Sequence, residues 1–154
     1  MWQHAYDIET NSKKETIWKL WTDVKNWNKW HTAIEYSYLD GKFVQGTWGS
    51  FKVTDQVNTL YLSFQLSKCI PNQLYTLKIK LTLCTIEIGH ELTDEANRQK
   101  IRFFIKISGP LAFVHIKKIG RIFILKTQKS IKTLIELAQR ITDEGDNYDE
   151  ERIY

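Results

Sequence analysis

The amino-acid sequence predicts an α+β fold in which a curved antiparallel sheet of six to seven strands wraps around one long C-terminal helix. Three observations predict this fold. Apolar and polar residues alternate through most of residues 34–108, the period of half-buried strands. One amphipathic helical pattern then runs to about residue 141. Ahead of both, a first strand is followed by two short helical segments, an uncommon arrangement.

The N-terminal residues predict the first strand. Residues 2–9 alternate in polarity, so His4 and Tyr6 share one face of the strand with Ile8. Because Ile8 is apolar, we expect that face to be the inner one.

Two short helices are predicted next. Asn11 or Ser12 is placed to cap the first, and Asp23 to cap the second. The second carries Trp27 and Trp30, which lie three residues apart on one side of a helical turn. We expect these two side chains to be a packing wedge against the long helix; the alternative is that they line the mouth of a pocket.

Six further segments have strand periodicity, and turn signals such as Asp40-Gly41 and Pro71-Asn72 separate most of them. Short connections between successive strands predict an antiparallel meander. In the first segment, Tyr36 and Tyr38 either face the interior or cover the outer face of the sheet. The segments are residues 34–38, 48–54, 60–67, 74–81, 85–93 and 100–108.

Gly109-Pro110 ends the last strand and begins a helix of about 30 residues. At about 100° per residue, its two faces differ in chemistry. The predicted inner face holds Ile116, Ile119, Phe123, Thr127, Ser130, Leu134, Leu137 and Ile141. The predicted outer face holds Lys118, Arg121, Lys129 and Lys132, with Ile122 and Leu125 among them.

Three local patterns resemble a known family. They are Asp23-x-x-x-Trp27-x-x-Trp30, Leu39-x-Gly41 followed by Gly46-Thr47-x-Gly49, and Ile107-Ser108-Gly109-Pro110-Leu111-Ala112 before the long helix with Gly120-Arg121 inside it. His90-Glu91-Leu92 is also similar to the family's penultimate strand. From about residue 4 to 140 the chain resembles the START-like superfamily (SRPBCC, polyketide cyclase/dehydratase type). The resemblance implies the helix-grip fold and an apolar cavity between sheet and helix, but no particular activity.

Strand alternation and helix phase predict which side chains surround that cavity. His90 is the candidate for proton transfer, because it shares an inner face with Ile86, Ile88 and Leu92. The alternative is a histidine hydrogen-bonded in a partly polar core. The candidate ligand-binding residues are His4, Tyr6, Tyr36, Phe64, Leu77, Ile86, His90, Ile105, Ile116, Gly120, Phe123 and Thr127.

Two functions fit this pattern. The first is binding or carriage of a small hydrophobic molecule, either a lipid or a polyketide-like compound. The alternative is a cyclase/dehydratase-like enzyme in which a pocket His or Tyr moves a proton. Few titratable residues fall on inward positions, and no paired carboxylates do, which favours binding; we expect no cofactor.

Charge divides the chain into two parts. Its net charge is +4, yet residues 143–154 carry six carboxylates against Arg152 alone. We therefore predict a ligand-binding domain over residues 1–142 and an acidic, disordered tail over 143–154. The basic body predicts either a solvated surface or weak contact with anionic membranes. Nucleic acid is not expected, because the basic helix face lacks interleaved stacking aromatics.

The cysteines and histidines favour a reduced, metal-free protein. Cys69 and Cys84 form no CxxC spacing, and the four histidines are scattered. We find no secretory signal pattern or uncharged 18-residue run. A cytoplasmic location is the resulting expectation.

Overall fold

The structure, a computed structural model, describes residues 1–54 and 59–144. Within these ranges it holds one antiparallel sheet whose strand order is β1-β7-β6-β5-β4-β3-β2. The chain therefore runs as a meander from β2 to β7, and β1 joins beside β7 at the far edge. The predicted α+β helix-grip fold is confirmed. The strands are β1 (Trp2–Thr10), β2 (Ile34–Leu39), β3 (Trp48–Thr54), β4 (Thr59–Ile70), β5 (Leu74–Leu81), β6 (Cys84–Glu95) and β7 (Arg98–Ser108).

Two short helices follow β1, as predicted: α1 (Lys14–Thr22) and a 3-10 helix (Val24–Lys29). The predicted cap of α1 is wrong, because its N-cap residue is Lys13 and not Asn11 or Ser12. Asp23 does occupy the N-cap position of the 3-10 helix, but its side chain makes no cap bond there. Asp23 instead accepts a hydrogen bond from the Asn26 side chain at 3.1 Å.

A β-bulge in β2 decides the position of its tyrosines. The register of β2 against β3 shifts between Ile34 and Tyr36, so the strict alternation expected from the sequence is broken there. As a result Ser37 is buried and bonds to the Val24 carbonyl, while Tyr36 is 49% exposed. The prediction that Tyr36 contributes to the pocket is wrong for this reason, and Tyr38 also lies on the outer face.

Two glycines let large rings lie flat against the sheet. A Cβ on Gly49 would come within 2.4 Å of the Phe64 ring and 2.5 Å of the Tyr38 carbonyl oxygen. A Cβ on Gly89 would come within 2.1 Å of the Phe104 ring. Any larger residue would displace these rings or the strand itself.

The C-terminal helix runs through Ala112–His115, a π-helical turn over Ile116–Gly120, and Arg121–Glu144. Six of the predicted inner-face residues are buried, while Ile116 and Ile141 are only half-buried. Ile122, predicted to be exposed, is buried: the apolar stripe is wide enough to include this border position. The helix passes the predicted domain boundary by two residues, and the rest of the acidic tail lies outside the described residues.

Candidate functional site

A small cavity lies between the sheet and the C-terminal helix. About 20 Å³ of it is open to the centre of a water molecule, which is room for roughly one water. Only Phe123 reaches it from the C-terminal helix; the other walls come from the sheet and from the segment after α1. Its lining is Trp27, Trp30, His31, Ile34, Phe51, Tyr75, Leu77, Ile88, His90, Phe103 and Phe123.

The 3-10 helix supplies one wall. The Trp27 indole donates from Nε1 to the Trp21 carbonyl at 2.8 Å, which fixes the start of the segment on α1. The backbone N–H groups of Trp30 and His31 both donate to the Trp27 carbonyl, at 3.2 and 2.7 Å. This tight turn aims Trp27, Trp30 and His31 at the sheet together. Both tryptophans line the cavity and pack on rings of the sheet, Trp27 on Tyr75 and Trp30 on His90. The wedge against the long helix stays a prediction.

His90 lies at the centre of an aromatic cluster. Its imidazole stacks on Tyr75, its cross-strand neighbour, with ring centroids 4.8 Å apart. The Trp21 and Phe103 rings each lie 5.4 Å from it. Loss of solvation on burial, with a smaller contribution from His31, lowers the pKa of His90 to about 3. His90 is therefore neutral at physiological pH.

His31 is a second neutral imidazole in the same wall. Burial lowers its pKa to about 4. Its Nδ1 accepts a hydrogen bond from the Ala33 backbone N–H at 3.3 Å. Its ring is nearly perpendicular to the Phe123 ring, and the two ring centroids lie 6.1 Å apart. Two uncharged rings, each able to donate or accept a hydrogen bond, thus border an otherwise apolar space.

Several buried polar atoms around the cavity have no hydrogen-bond partner within the described residues. Trp30 Nε1 and His90 Nδ1 belong to lining residues, and Trp21 Nε1 belongs to the ring beside His90. Unsatisfied buried donors are rare and costly, about 1–3 kcal/mol each. Trp30 Nε1 and His90 Nδ1, the two that belong to lining residues, are therefore available to a polar atom that enters the cavity.

The structure brings three of the predicted site residues to the cavity: Leu77, His90 and Phe123. A second group is buried in the core but does not line the cavity: Phe64, Ile86, Ile105 and Thr127. The hydroxyl of Thr127 is turned back to the Phe123 carbonyl of its own helix.

The remaining candidates lie at the edge of the fold. His4 and Tyr6 do pair with the inward residues Ile105 and Phe103, but β1 is an edge strand and leaves both half-buried. Ile116 is half-buried in the π-helical turn. Gly120 is buried against Trp2, 3.2 Å from the place its Cβ would take, and contributes no space to the cavity.

The sequence contains a signal for most of the lining residues that were not predicted. Three of them lie two residues away from a residue that was predicted: Tyr75 from Leu77, Ile88 from His90, and Phe103 from Ile105. Since residues two apart in a strand share a face, the alternation of a strand places all three on the inner face. His31 has no such signal. Its inward position depends on the 3-10 geometry after Trp27, which helical periodicity does not predict.

Metal chemistry has no support in the described residues. No group of three or more His, Cys, Asp or Glu side chains there is placed to hold a metal ion. His31 and His90 are accompanied by aromatic rings and carry no acidic neighbour in the cavity lining.

Comparison with known proteins identifies the fold. The sequence matches no family model and no curated protein. The Zhui aromatase/cyclase from Streptomyces sp. R1128 superimposes with a TM-score of 0.76 at 7% identity, over 92% of this chain and 95% of that one. Major latex-like protein 151 from Panax ginseng superimposes with a TM-score of 0.73 at 12% identity, over 89% and 97%. The di-domain ARO/CYC StfQ from the steffimycin biosynthetic pathway does so with a TM-score of 0.75 at 7% identity, over 92% and 51%. These superpositions show that the chain has a helix-grip fold.

Proposed function

We propose that this protein binds one small hydrophobic molecule, lipid-like or polyketide-like, between its curved sheet and its C-terminal helix. The observation that carries the proposal is the closed cavity with its unpaired polar atoms. Its walls are aromatic and aliphatic, yet Trp30 Nε1 and His90 Nδ1 are buried without a hydrogen-bond partner in the part of the chain that the structure describes. Such a lining suits a ligand that is mostly apolar and has one hydroxyl or carbonyl group.

Binding requires the cavity to enlarge. A cavity of about 150 Å³ is needed for a ligand as small as benzene, whereas this one has about 20 Å³. Phe123 is the side chain whose displacement opens it, because it is the one residue of the described C-terminal helix that lines the cavity, and it lies three residues after the π-helical turn. Such turns interrupt regular helical bonding and often mark functional positions.

The protonation state of His90 favours binding over the enzymatic alternative. A general acid or base works best when its pKa is near the working pH, and burial lowers the pKa of His90 to about 3. Burial also raises the pKa of Tyr75 well above its usual value, so its hydroxyl stays protonated. Both groups are suited to orienting a bound molecule by hydrogen bonds rather than to exchanging protons with it.

A fluorescent apolar probe, N-phenyl-1-naphthylamine, tests the site. Phe123→Ala removes the ring that closes the cavity and should strengthen probe binding. Leu134→Ala is the matched control, since Leu134 is buried on the same helix but does not line the cavity. Equal probe binding by the two variants would contradict the assignment of the site.

A second pair of probes tests the two polar atoms of the lining, Trp30 Nε1 and His90 Nδ1. We expect 2-naphthol to displace the fluorescent probe better than naphthalene does, because only the former can pair with Trp30 or His90. His90→Phe should reduce that preference, since Trp30 Nε1 remains, while it keeps a ring packed in place. Native mass spectrometry of the purified protein then reports any ligand that it retains from its host.

We also propose a reducing, cytoplasmic setting, consistent with the unpaired Cys69 and Cys84.

A further inference from the structure

The exposed side of the C-terminal helix combines large apolar side chains with cations. Phe113, Val114 and Leu125 are 67%, 52% and 64% exposed, unusual for apolar residues on a helix that already buries its other side. Five exposed cations accompany them: Lys117, Lys118, Arg121, Lys129 and Lys132. We refer to these eight residues as the basic apolar face.

The eight residues form one continuous surface. Phe113, Lys117, Arg121, Leu125 and Lys129 follow one another at intervals of four residues, which places each beside the next along one side of a helix. The opposite side of the helix buries Phe123, Thr127 and Ser130 against the sheet and the loop before β2. The face is therefore turned away from the cavity.

The face is surrounded by positive charge. No aspartate or glutamate occurs between Glu95 and Glu136. In residues 1–54 and 59–144, the five cations make no ion pair. Among those residues, the charge of this face is thus not cancelled by a paired carboxylate.

We propose that the basic apolar face docks on the surface of an anionic lipid bilayer, with Phe113, Val114 and Leu125 inserted at the level of the headgroups. Cations beside exposed apolar side chains on one helix side are the arrangement of an interfacial amphipathic helix. None of the described helices is long and apolar enough to cross a membrane. Docking therefore occurs from one side of the bilayer, and it goes beyond the cavity function and does not depend on it.

Co-sedimentation with vesicles tests the proposal. The wild-type protein should bind phosphatidylcholine vesicles that contain phosphatidylserine, and binding should weaken as salt screens the charges. Lys117→Gln with Lys118→Gln should weaken binding on the order of 30-fold, from about 1 kcal/mol per basic residue near an anionic surface. Phe113→Ser with Leu125→Ser should weaken it at high salt as well, because insertion is not screened.

A matched double variant on the sheet separates this face from net charge. Lys78 and Lys80 lie on the outer side of β5, and Lys78→Gln with Lys80→Gln removes the same charge. We expect this control to bind vesicles as the wild type does. Equal weakening by the two lysine pairs would overturn the proposal, as would wild-type binding to pure phosphatidylcholine of the same strength. Binding to duplex DNA without binding to vesicles would assign the face to nucleic acid instead. The cavity probe should respond to none of these variants, so the two proposals fail separately.

Discussion

The two buried imidazoles predict how the stability of the protein depends on pH. His31 and His90 have pKa values of about 4 and about 3 in the folded protein, against about 6.5 in an unfolded chain. Between those limits the unfolded state binds more protons than the folded state does. Lowering the pH from 7 to 5 should therefore destabilise the protein.

The size of the effect follows from the depth of the shift. A pH of 5 lies about 1.5 units below the pKa of an imidazole in the unfolded chain. Each unit corresponds to about 1.4 kcal/mol of unfolding free energy. Each histidine thus removes about 2 kcal/mol of stability, and the pair about 4 kcal/mol at most. That is a large part of the 5–15 kcal/mol that typically stabilises a domain.

The Glu35–Lys52 pair contributes little in this window. Lys52 holds the pKa of Glu35 below its usual range through a hydrogen bond and charge attraction, so the stability from that pair is lost only at lower pH. The pair therefore does not mask the effect of the histidines between pH 7 and pH 5.

Urea unfolding followed by far-UV circular dichroism at pH 7, 6 and 5 measures the effect. The double variant His31→Gln with His90→Gln should have a nearly flat profile over this range, whatever its absolute stability. His115→Gln is the control, because His115 lies half-buried on the C-terminal helix, outside the cavity. A wild-type stability at pH 5 within about 1 kcal/mol of that at pH 7 would refute the reasoning.

Three further predictions concern packing and the tail. Trp30→Ala should lower the free energy of unfolding by about 3–5 kcal/mol, as deletion of a buried large aromatic does; urea unfolding measures it, and an unchanged midpoint would contradict the wedge. Gly49→Ala should also destabilise the protein, because the new Cβ meets both the Phe64 ring and a backbone oxygen. Gly46→Ala is its control: no atom lies within 4 Å of that Cβ site, so the substitution is strained only by the positive φ of residue 46. Deletion of residues 145–154 should leave thermal stability nearly unchanged, since exposed charge pairs are worth at most about 1 kcal/mol each. It should increase binding to anionic vesicles at low salt. Unfolding of the truncated protein would show that the domain boundary is misplaced.

The sequence predicted the order of the elements well because their signals are local. Alternation over residues 74–81 matches β5 in full, and Gly109-Pro110 precedes the C-terminal helix as expected. What it could not predict was a change of phase. The bulge between Ile34 and Tyr36 reverses the inward and outward positions along the rest of β2. No Gly or Pro occurs there that would indicate a bulge from the sequence. The position of His31 likewise depends on a 3-10 turn whose geometry is set by contacts with α1.

The structure has a cavity between sheet and helix, where the sequence analysis expects one, but the sequence did not predict how small it is. The reason for its small volume is the size of the side chains. Trp21, Trp27, Tyr75, Phe64 and Phe103 are among the largest fully buried residues, and together they fill most of the space that a curved sheet leaves around a helix. A closed ground state has a consequence for affinity. If the open form is only a small fraction of the population, the apparent dissociation constant of any ligand is raised by the inverse of that fraction. Phe123→Ala should remove this penalty, so the apparent dissociation constant should fall by a similar factor for every ligand larger than the closed cavity, a single ring included. Leu134→Ala removes a buried side chain that does not line the cavity and should leave these constants nearly unchanged. An equal fall in both variants would indicate a general loosening of the core instead.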